Sequence, residues 1–240
     1  MSKAPEPDSL AVSQFKEAAV QAAVEQLEDG MVVGLGSGTT AALAVSAIGW
    51  RVQNGLRIIG IPTSEQTAAL AGSLGIVLST LGEYTRVDIT IDGADEVEIG
   101  TLHAIKGGGG NLLREKIVAV SSAQLVLVAD ERKVVERLGG TAKVPVEVVP
   151  FGWQATANRL SQSGTDPVLR RSANGETFLS DGGHYILDCF YGPITDPLAL
   201  QAQLDATIGV VEHGLFLGLA SEAFIGGRGG VRRLLRASDT

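Results

Sequence analysis

Between residues 31 and 129, short apolar runs alternate with longer stretches whose apolar positions recur at helical spacing, and this alternation leaves few folds open. Residues 31–36 (MVVGLG) read as a buried strand, 39–52 as a helix, 57–63 as the next strand, and 64–74 as a helix that Gly75 closes. Val77 and Leu78 begin a further short strand, 87–91 (VDITI) is another, and 125–129 (LVLVA) is the most hydrophobic of all. Strands fit for burial on both faces, separated by helices, predict a parallel sheet covered on both sides. A helix over 12–27, ended by Gly30, precedes them.

The pattern changes near Lys143. Residues 146–149 read as a strand, 153–160 as a helix, 166–171 and 184–190 as strands, 198–206 as a helix and 209–213 as a strand. Asn174-Gly175 and Asp181-Gly182-Gly183 mark hairpin turns around 177–179, where one extra short strand fits. Strand, helix, strand, strand, helix, strand is the ferredoxin-like order. The tail, 215–236, contains an apolar run at 215–220 and is expected to rejoin the first sheet. The fold class is therefore α/β. A Rossmann-like, mostly parallel sheet domain (1–143, completed by 214–240) carries an inserted ferredoxin-like α+β domain (144–213).

Composition narrows the chemistry. No apolar run approaches the roughly 18 residues a membrane-spanning helix needs, and residues 1–10 read as a short disordered tail rather than a signal region, so the cytoplasm is the expected location. A formal charge of −8 repels phosphate backbones, so no nucleic-acid partner and no membrane partner is expected. The single cysteine, Cys189, excludes an internal disulfide and any cysteine-rich zinc site. His103, His184 and His213 lie far apart without ligand spacing, and are read as structural. The chemistry expected is metal-free and cofactor-free, carried by carboxylates and lysines.

Two glycine-rich passages stand out. Gly34-Leu35-Gly36-Ser37-Gly38-Thr39-Thr40 lies between a strand and a helix, where free amides and the helix dipole can hold an anion. It is not a dinucleotide fingerprint, since Thr39 stands where the third glycine belongs, nor a Walker loop, since no lysine follows. Its hydroxyls suit a small phosphate, although the glycines would also suit a plain tight turn. The second passage, residues 92–116, reads DGADEVEIGTLHAIKGGGGNLLREK. Asp92 closes a strand at the carboxyl end, where open α/β sheets place their sites, and Gly93 and Ala94 are small enough to let Asp92 and Asp95 share one cleft. Lys106 follows a short strand, Gly107–Gly110 form a close-approach loop, and Glu115 lies about one turn into the helix 111–120.

Taken singly, each of these charges has an ordinary reading. Asp92 could cap a turn, Asp95, Glu96 and Glu98 could form a solvated acidic face, Lys106 could be a surface cation, and Glu115 could pair with Arg114 or Lys116. Together they suit proton transfer beside a carbonyl. A carboxylate removes a C–H proton, a nearby cation stabilises the developing enediolate oxygen, and the acid returns the proton to the adjacent carbon. That is aldose–ketose isomerisation, with a phosphate anchoring the substrate at the first glycine loop.

DGADEVEIGTLHAIKGGGGNLLREK closely resembles the signature of the type A ribose-5-phosphate isomerase family, and GLGSGTT resembles its phosphate loop. VADERK, VPVEVVP, ILDCFYGPITDP and VVEHGLF match further family blocks in order, so the resemblance spans residues 15–233. It implies that Glu115 is the base moving a proton between C1 and C2. Asp92 and Asp95 would bind sugar hydroxyls, one of them assisting ring opening, and Lys106 with the amides of Gly107 and Gly108 would stabilise the enediolate. Ser37, Gly38, Thr39 and Thr40 match the substrate loop, Gly93, Ala94 and Gly109 complete the substrate-binding set, and Lys133 and Lys16 match phosphate-binding lysines. The family works without metal or cofactor on a small sugar phosphate, carries an inserted ferredoxin-like domain, and forms homodimers or homotetramers. Departures are small: Ser37 and Thr39 exchange hydroxyl types, and Gly110 and Asn111 stand where some members have alanines. An aminosugar-phosphate isomerase–deaminase or a CoA transferase would want further residues, and a sugar-phosphate sensor would carry a DNA-reading helix-turn-helix that this chain lacks.

Overall fold

The computed structural model describes residues 9–237. The expected N-terminal tail lies outside them except for Ser9 and Leu10, which already belong to the first helix, α1 (Ser9–Val24). Leu27 still packs in the core, but its amide bonds to Val24 O in a tighter turn, so the helix ends three residues before its expected limit. There follow β1 (Val32–Leu35), α2 (Thr39–Gln53), β2 (Ile59–Pro62), α3 (Glu65–Ser73), β3 (Val77–Leu78), β4 (Val87–Gly93), β5 (Glu96–Glu98), β6 (Ala104–Ile105), α4 (Leu112–Val120) and β7 (Ser122–Asp130). After a 3-10 turn, Glu131–Lys133, come β8 (Val134–Val135), β9 (Val144–Val148), α5 (Trp153–Ser161), β10 (Val168–Leu169), β11 (Tyr185–Cys189), α6 (Pro197–Asp205) and β12 (Val210–His213). The chain closes with β13 (Leu215–Phe216), β14 (Glu222–Gly227) and β15 (Gly230–Leu235).

The large sheet has seven strands in the order β15-β14-β7-β4-β1-β2-β3, parallel throughout except for β15. Its central strands are buried on both faces. In β7, Val126 and Val128 enter the core beneath α1, α2 and α3, while Leu125, Leu127 and Ala129 enter the opposite core with Ala119 of α4 and Phe216. This period-two division is why LVLVA carries no polar face. The tail does rejoin this sheet, but through β14. The apolar residues Leu215 and Phe216 instead join a small sheet, β13-β6-β5-β8, of which the sequence suggested only the short strand before Lys106, because its strands have two or three residues each.

The separate sheet β10-β11-β9-β12 is antiparallel, in the ferredoxin-like strand order. Val144, Val146 and Val148 of β9 pack with Leu187, Cys189, Leu160 of α5, and Leu200 and Leu204 of α6. The intervening Glu147 and Asp188 lie on the other face, which turns toward the large sheet's loops. The expected strand 166–171 shrinks to two residues because it is an edge, and the extra strand at 177–179 reduces to one bridge between Arg171 and Thr177.

Glu96 is not solvated, and it does not line the cleft described below. Its buried carboxylate accepts from Gly139 N (2.6 Å), Thr141 N (2.7 Å), Thr141 Oγ1 (2.7 Å) and Ala142 N (2.7 Å), so it pins the strand's neighbour loop just before β9. Glu96→Gln sets an amide against these donors. It is expected to lower unfolding free energy by about 2–4 kcal/mol in a urea titration, and a change below about 0.5 kcal/mol would remove Glu96 as an anchor.

Candidate active site

The chain runs outward from β1 to β2 and β3, then returns to place β4 on the other side of β1. Ligands of open α/β sheets bind where strand order reverses in this way, outside the carboxyl ends. Here Ser37, Gly38 and the first residues of α2, Thr39 and Thr40, follow β1, and Gly93 ends β4 with Ala94 and Asp95 after it. The two strand ends nearly touch. A Cβ built on Gly36 would fall 2.2 Å from Asp92 Oδ1, so only glycine admits the aspartate there. Ser37 Oγ is fixed by Thr63 Oγ1 at 2.6 Å, and Thr67 Oγ1 donates to Gly36 O at 3.0 Å. Thr63 and Thr67 were not anticipated as support for this loop, though a threonine at the carboxyl end of β2 is a readable signal.

Three buried charges form the floor. Lys106 Nζ lies 2.8 Å from Asp92 Oδ2 and 3.2 Å from Glu115 Oε2, and donates to Gly93 O at 2.6 Å. The two carboxylate oxygens meet the ammonium outside good hydrogen-bond angles and have no hydrogen-bond partner among the described residues. One cation thus faces two anions out of water, and the balance sets the protonation. Burial alone would lower the pKa of Lys106, but Asp92 and then Glu115 outweigh it and hold the ammonium charged well above its ordinary range. Burial raises Asp92, with Lys106 opposing. Burial, with the charge of Asp92 added, pushes Glu115 up to about 8 against the pull of Lys106.

Above this floor opens a cleft of about 320 Å³. It is lined by Lys16, Ser37, Gly38, Thr39, Thr40, Gly93, Ala94, Asp95, Lys106, Gly107, Gly108, Gly109, Glu115 and Lys133, so segments expected from distant parts of the sequence meet in one place. Asp92 is the exception. It lies behind the cleft, its Oδ1 accepting from Ser37 N (3.2 Å) and Gly93 N (2.7 Å), and only Asp95 of the two aspartates faces inward. Asp95 Oδ2 accepts from Gly108 N at 2.8 Å. Lys16 stands 4.0 Å from Asp130, and Lys133 has no ion-pair partner among the described residues.

Glu115 pairs with neither of its chain neighbours. Arg114 reaches Glu65 (2.8 Å), and Lys116 holds Glu212 (2.6 Å) and the carbonyl of His213 (2.7 Å), tying α4 to β12. The histidines bond to structural partners away from the cleft: His103 accepts from Gly218 N, His184 meets Glu147, and His213 meets Asp205 and Leu215 N. Among the described residues, the carboxylate–histidine group Asp205, Glu212 and His213 could hold a metal, but Lys116 already pairs with Glu212 at 2.6 Å. Arg170, from beside β10, donates to the carbonyls of Gly107 and Gly108 at 3.0 Å each. No local pattern around it pointed to this contact.

Comparison with known proteins shows the family of the chain. The family model described as ribose 5-phosphate isomerase A (phosphoriboisomerase A) matches residues 59–230. A protein of Synechococcus sp. (strain JA-3-3Ab) named ribose-5-phosphate isomerase A is 55% identical over 222 residues, 92% of this chain and 96% of its own. Its namesake in Gloeobacter violaceus is 57% identical over 220 residues, covering 92% and 95%. A solved structure of a D-ribose-5-phosphate isomerase in complex with phospho-erythronic acid superposes with a TM-score of 0.91 at 36% identity, covering 94% of this chain and 99% of that one. No described helix is long and apolar enough to cross a membrane. With more than two thirds of its length matched at such identity, the chain belongs to the ribose 5-phosphate isomerase A family.

Proposed function

We propose that the protein interconverts D-ribose 5-phosphate and D-ribulose 5-phosphate through a cis-enediolate, with Glu115 as the base and no metal. The observation that carries this reading is Glu115 itself, a buried carboxylate with a pKa near 8, set against an ammonium at the base of a cleft. In the forward direction the Glu115 carboxylate takes the proton from C2 of the open-chain aldose and charge develops on O1. Lys106 and the glycine-loop amides stabilise that oxygen, and Glu115 returns the proton to C1 while the O2 hydroxyl proton ends on O1. Asp95, which lines the cleft, is the group placed to assist ring opening, whereas Asp92 holds Lys106 in position. Ser37–Thr40, Lys133 and Lys16 would take the phosphate. The ammonium already occupies the space between the two carboxylates where a metal would otherwise be sought, which supports a metal-independent route. The solved relative whose title names a phospho-erythronic acid complex supports a sugar-phosphate-like ligand.

We also propose the domain limits 1–143 with 214–240 and 144–213, and a homodimer or homotetramer. The strongly exposed Phe151 and Ile208 at one end of the smaller sheet support an assembly, which sedimentation would test.

The first experiment is formation of ribulose 5-phosphate from ribose 5-phosphate in EDTA. Turnover is the expected result, and binding without turnover would favour a sugar-phosphate sensor. Because Glu115 must lose its proton to act, kcat/KM is expected to rise with pH and level off above about 8. A flat profile from pH 6 to 9 would separate the base from Glu115. Lys133→Ala is expected to raise KM about tenfold with kcat little changed, and an unaltered KM would move the phosphate elsewhere.

A further inference from the structure

The polar face of the smaller sheet reaches the glycine loop of the active site through Arg170. Val168 pairs with Asp188 and Leu169 with Leu187, so Arg170 emerges on the same face as Asp188. Asp188 grips it twice, through Nε at 3.0 Å and through a shorter contact at Nη2. That leaves Nη1, which donates to Gly107 O and Gly108 O together. Phe178 lies under the guanidinium, 5.8 Å from its ring centre, and packs so closely on Gly110 that a Cβ there would fall 2.4 Å from the ring.

A planar trans peptide points its C=O and the next residue's N–H in opposite directions. Fixing the carbonyls of Gly107 and Gly108 toward the smaller sheet therefore turns the N–H groups of Gly108 and Gly109 toward the cleft. The first meets Asp95 at 2.8 Å, and the second has no hydrogen-bond partner among the described residues while Gly109 lines the cleft. Left alone, a run of four glycines samples many peptide orientations, and amides help a developing oxyanion only if they are already aimed.

We propose that Arg170 is a positioning residue for catalysis, by which the inserted domain sets the direction of the glycine-loop amides and offers Gly109 N–H to the enediolate oxygen. This deepens the isomerase reading and rests on it for the identity of the anion. Arginine suits the task because its fork satisfies Asp188 with two nitrogens and keeps the third for the carbonyls. Lysine, with a single nitrogen, cannot do both.

The test uses the full-length protein and Arg170→Met, with Arg170→Lys as the milder variant should the first fold poorly. Three quantities are read: the amide resonances of Gly108 and Gly109 in protein labelled with 15N-glycine, kcat and KM for ribose 5-phosphate, and affinities for phospho-erythronate and inorganic phosphate. In Arg170→Met both amides are expected to shift, kcat to fall about 10–100-fold with KM within about threefold, and phospho-erythronate to bind about tenfold more weakly while phosphate affinity stays the same. Arg170→Lys is expected to lie between Arg170→Met and wild type. Unshifted amides, or wild-type kcat, would overturn the proposal, as would a parallel fall in phosphate affinity, kcat and melting temperature, which marks a merely structural role. Shifted amides in a protein whose wild-type form does not turn over ribose 5-phosphate would sink the isomerase reading and leave the loop positioning standing.

Discussion

Glu115→Gln is expected to lower kcat by about a thousandfold or more, within or beyond the usual range for loss of a general base, while ribose 5-phosphate still binds. The same variant is expected to be more stable than wild type at alkaline pH. The folded pKa of Glu115 is about 8 and its ordinary value 4.5, so the folded state holds this proton more tightly than the unfolded chain does. Its stabilising contribution is complete below about pH 4.5 and is lost as pH rises through 8, where burying the ionised group costs on the order of a few kcal/mol. Glutamine keeps the shape, carries no charge and leaves the Asp92–Lys106 pair balanced. The melting-temperature difference between variant and wild type should therefore be small near pH 5, grow with pH and level off above 8. A variant that is inactive yet no more stable at pH 9 would mean that Glu115 is not forced to ionise against its surroundings.

Lys106→Met is expected to have the largest effect on stability. It leaves Asp92 and Glu115 buried with no cation between them, and breaking a buried ion pair from one side costs about 3–5 kcal/mol. Without the ammonium both carboxyl groups would ionise at still higher pH, so the loss should be mild at pH 5 and severe at pH 8. Adding Asp92→Asn should recover part of it, because neighbours sharing one partner do not act additively. Urea titrations at the two pH values measure all of this. A pH-independent loss would show that Lys106 contributes packing rather than charge. Activity should fall about 100–1,000-fold at any pH, since the charge opposite the enediolate is gone.

Much of this was readable beforehand, for local reasons. The inner strands β1, β2, β4 and β7 announce themselves because burial on both faces leaves little polar alternation, and the two glycine passages sit where strand ends must place a site; β14 and β15 were foreseen only as a tail that rejoins the sheet. Lys16, the Ser37–Thr40 loop, Asp95, Lys106, Glu115 and Lys133 accordingly line one cleft. What escaped is non-local. Strands β5, β8 and β13 are too short to carry a period, and they exist because their partners, the foreseen strand before Lys106 among them, are already in place. Glu96 looked like one more surface acid because its four donors lie more than forty residues away. Asp92 looked like a ligand to the sugar, yet the space its side chain enters is created by Gly36, 56 positions earlier in the chain. Arg170 is a further case, since its two carbonyl partners lie in the glycine loop and its orientation depends on Asp188 of the next strand.

The place of β14 in the large sheet has a consequence for how the chain is made. When synthesis has passed Asp130, β7 is complete, but the edge that will receive β14 is open, and it belongs to a strand whose residues 125–129 are all apolar. Its partner begins at Glu222, about ninety residues later, and at roughly 5–20 residues per second the wait is on the order of 5–20 s. Residues in between form the smaller sheet and its two helices, whose contacts are largely their own and which can fold during the delay. An unpaired strand edge is a template for pairing with another chain. Premature termination between these points would thus release a product prone to aggregate rather than a smaller working enzyme.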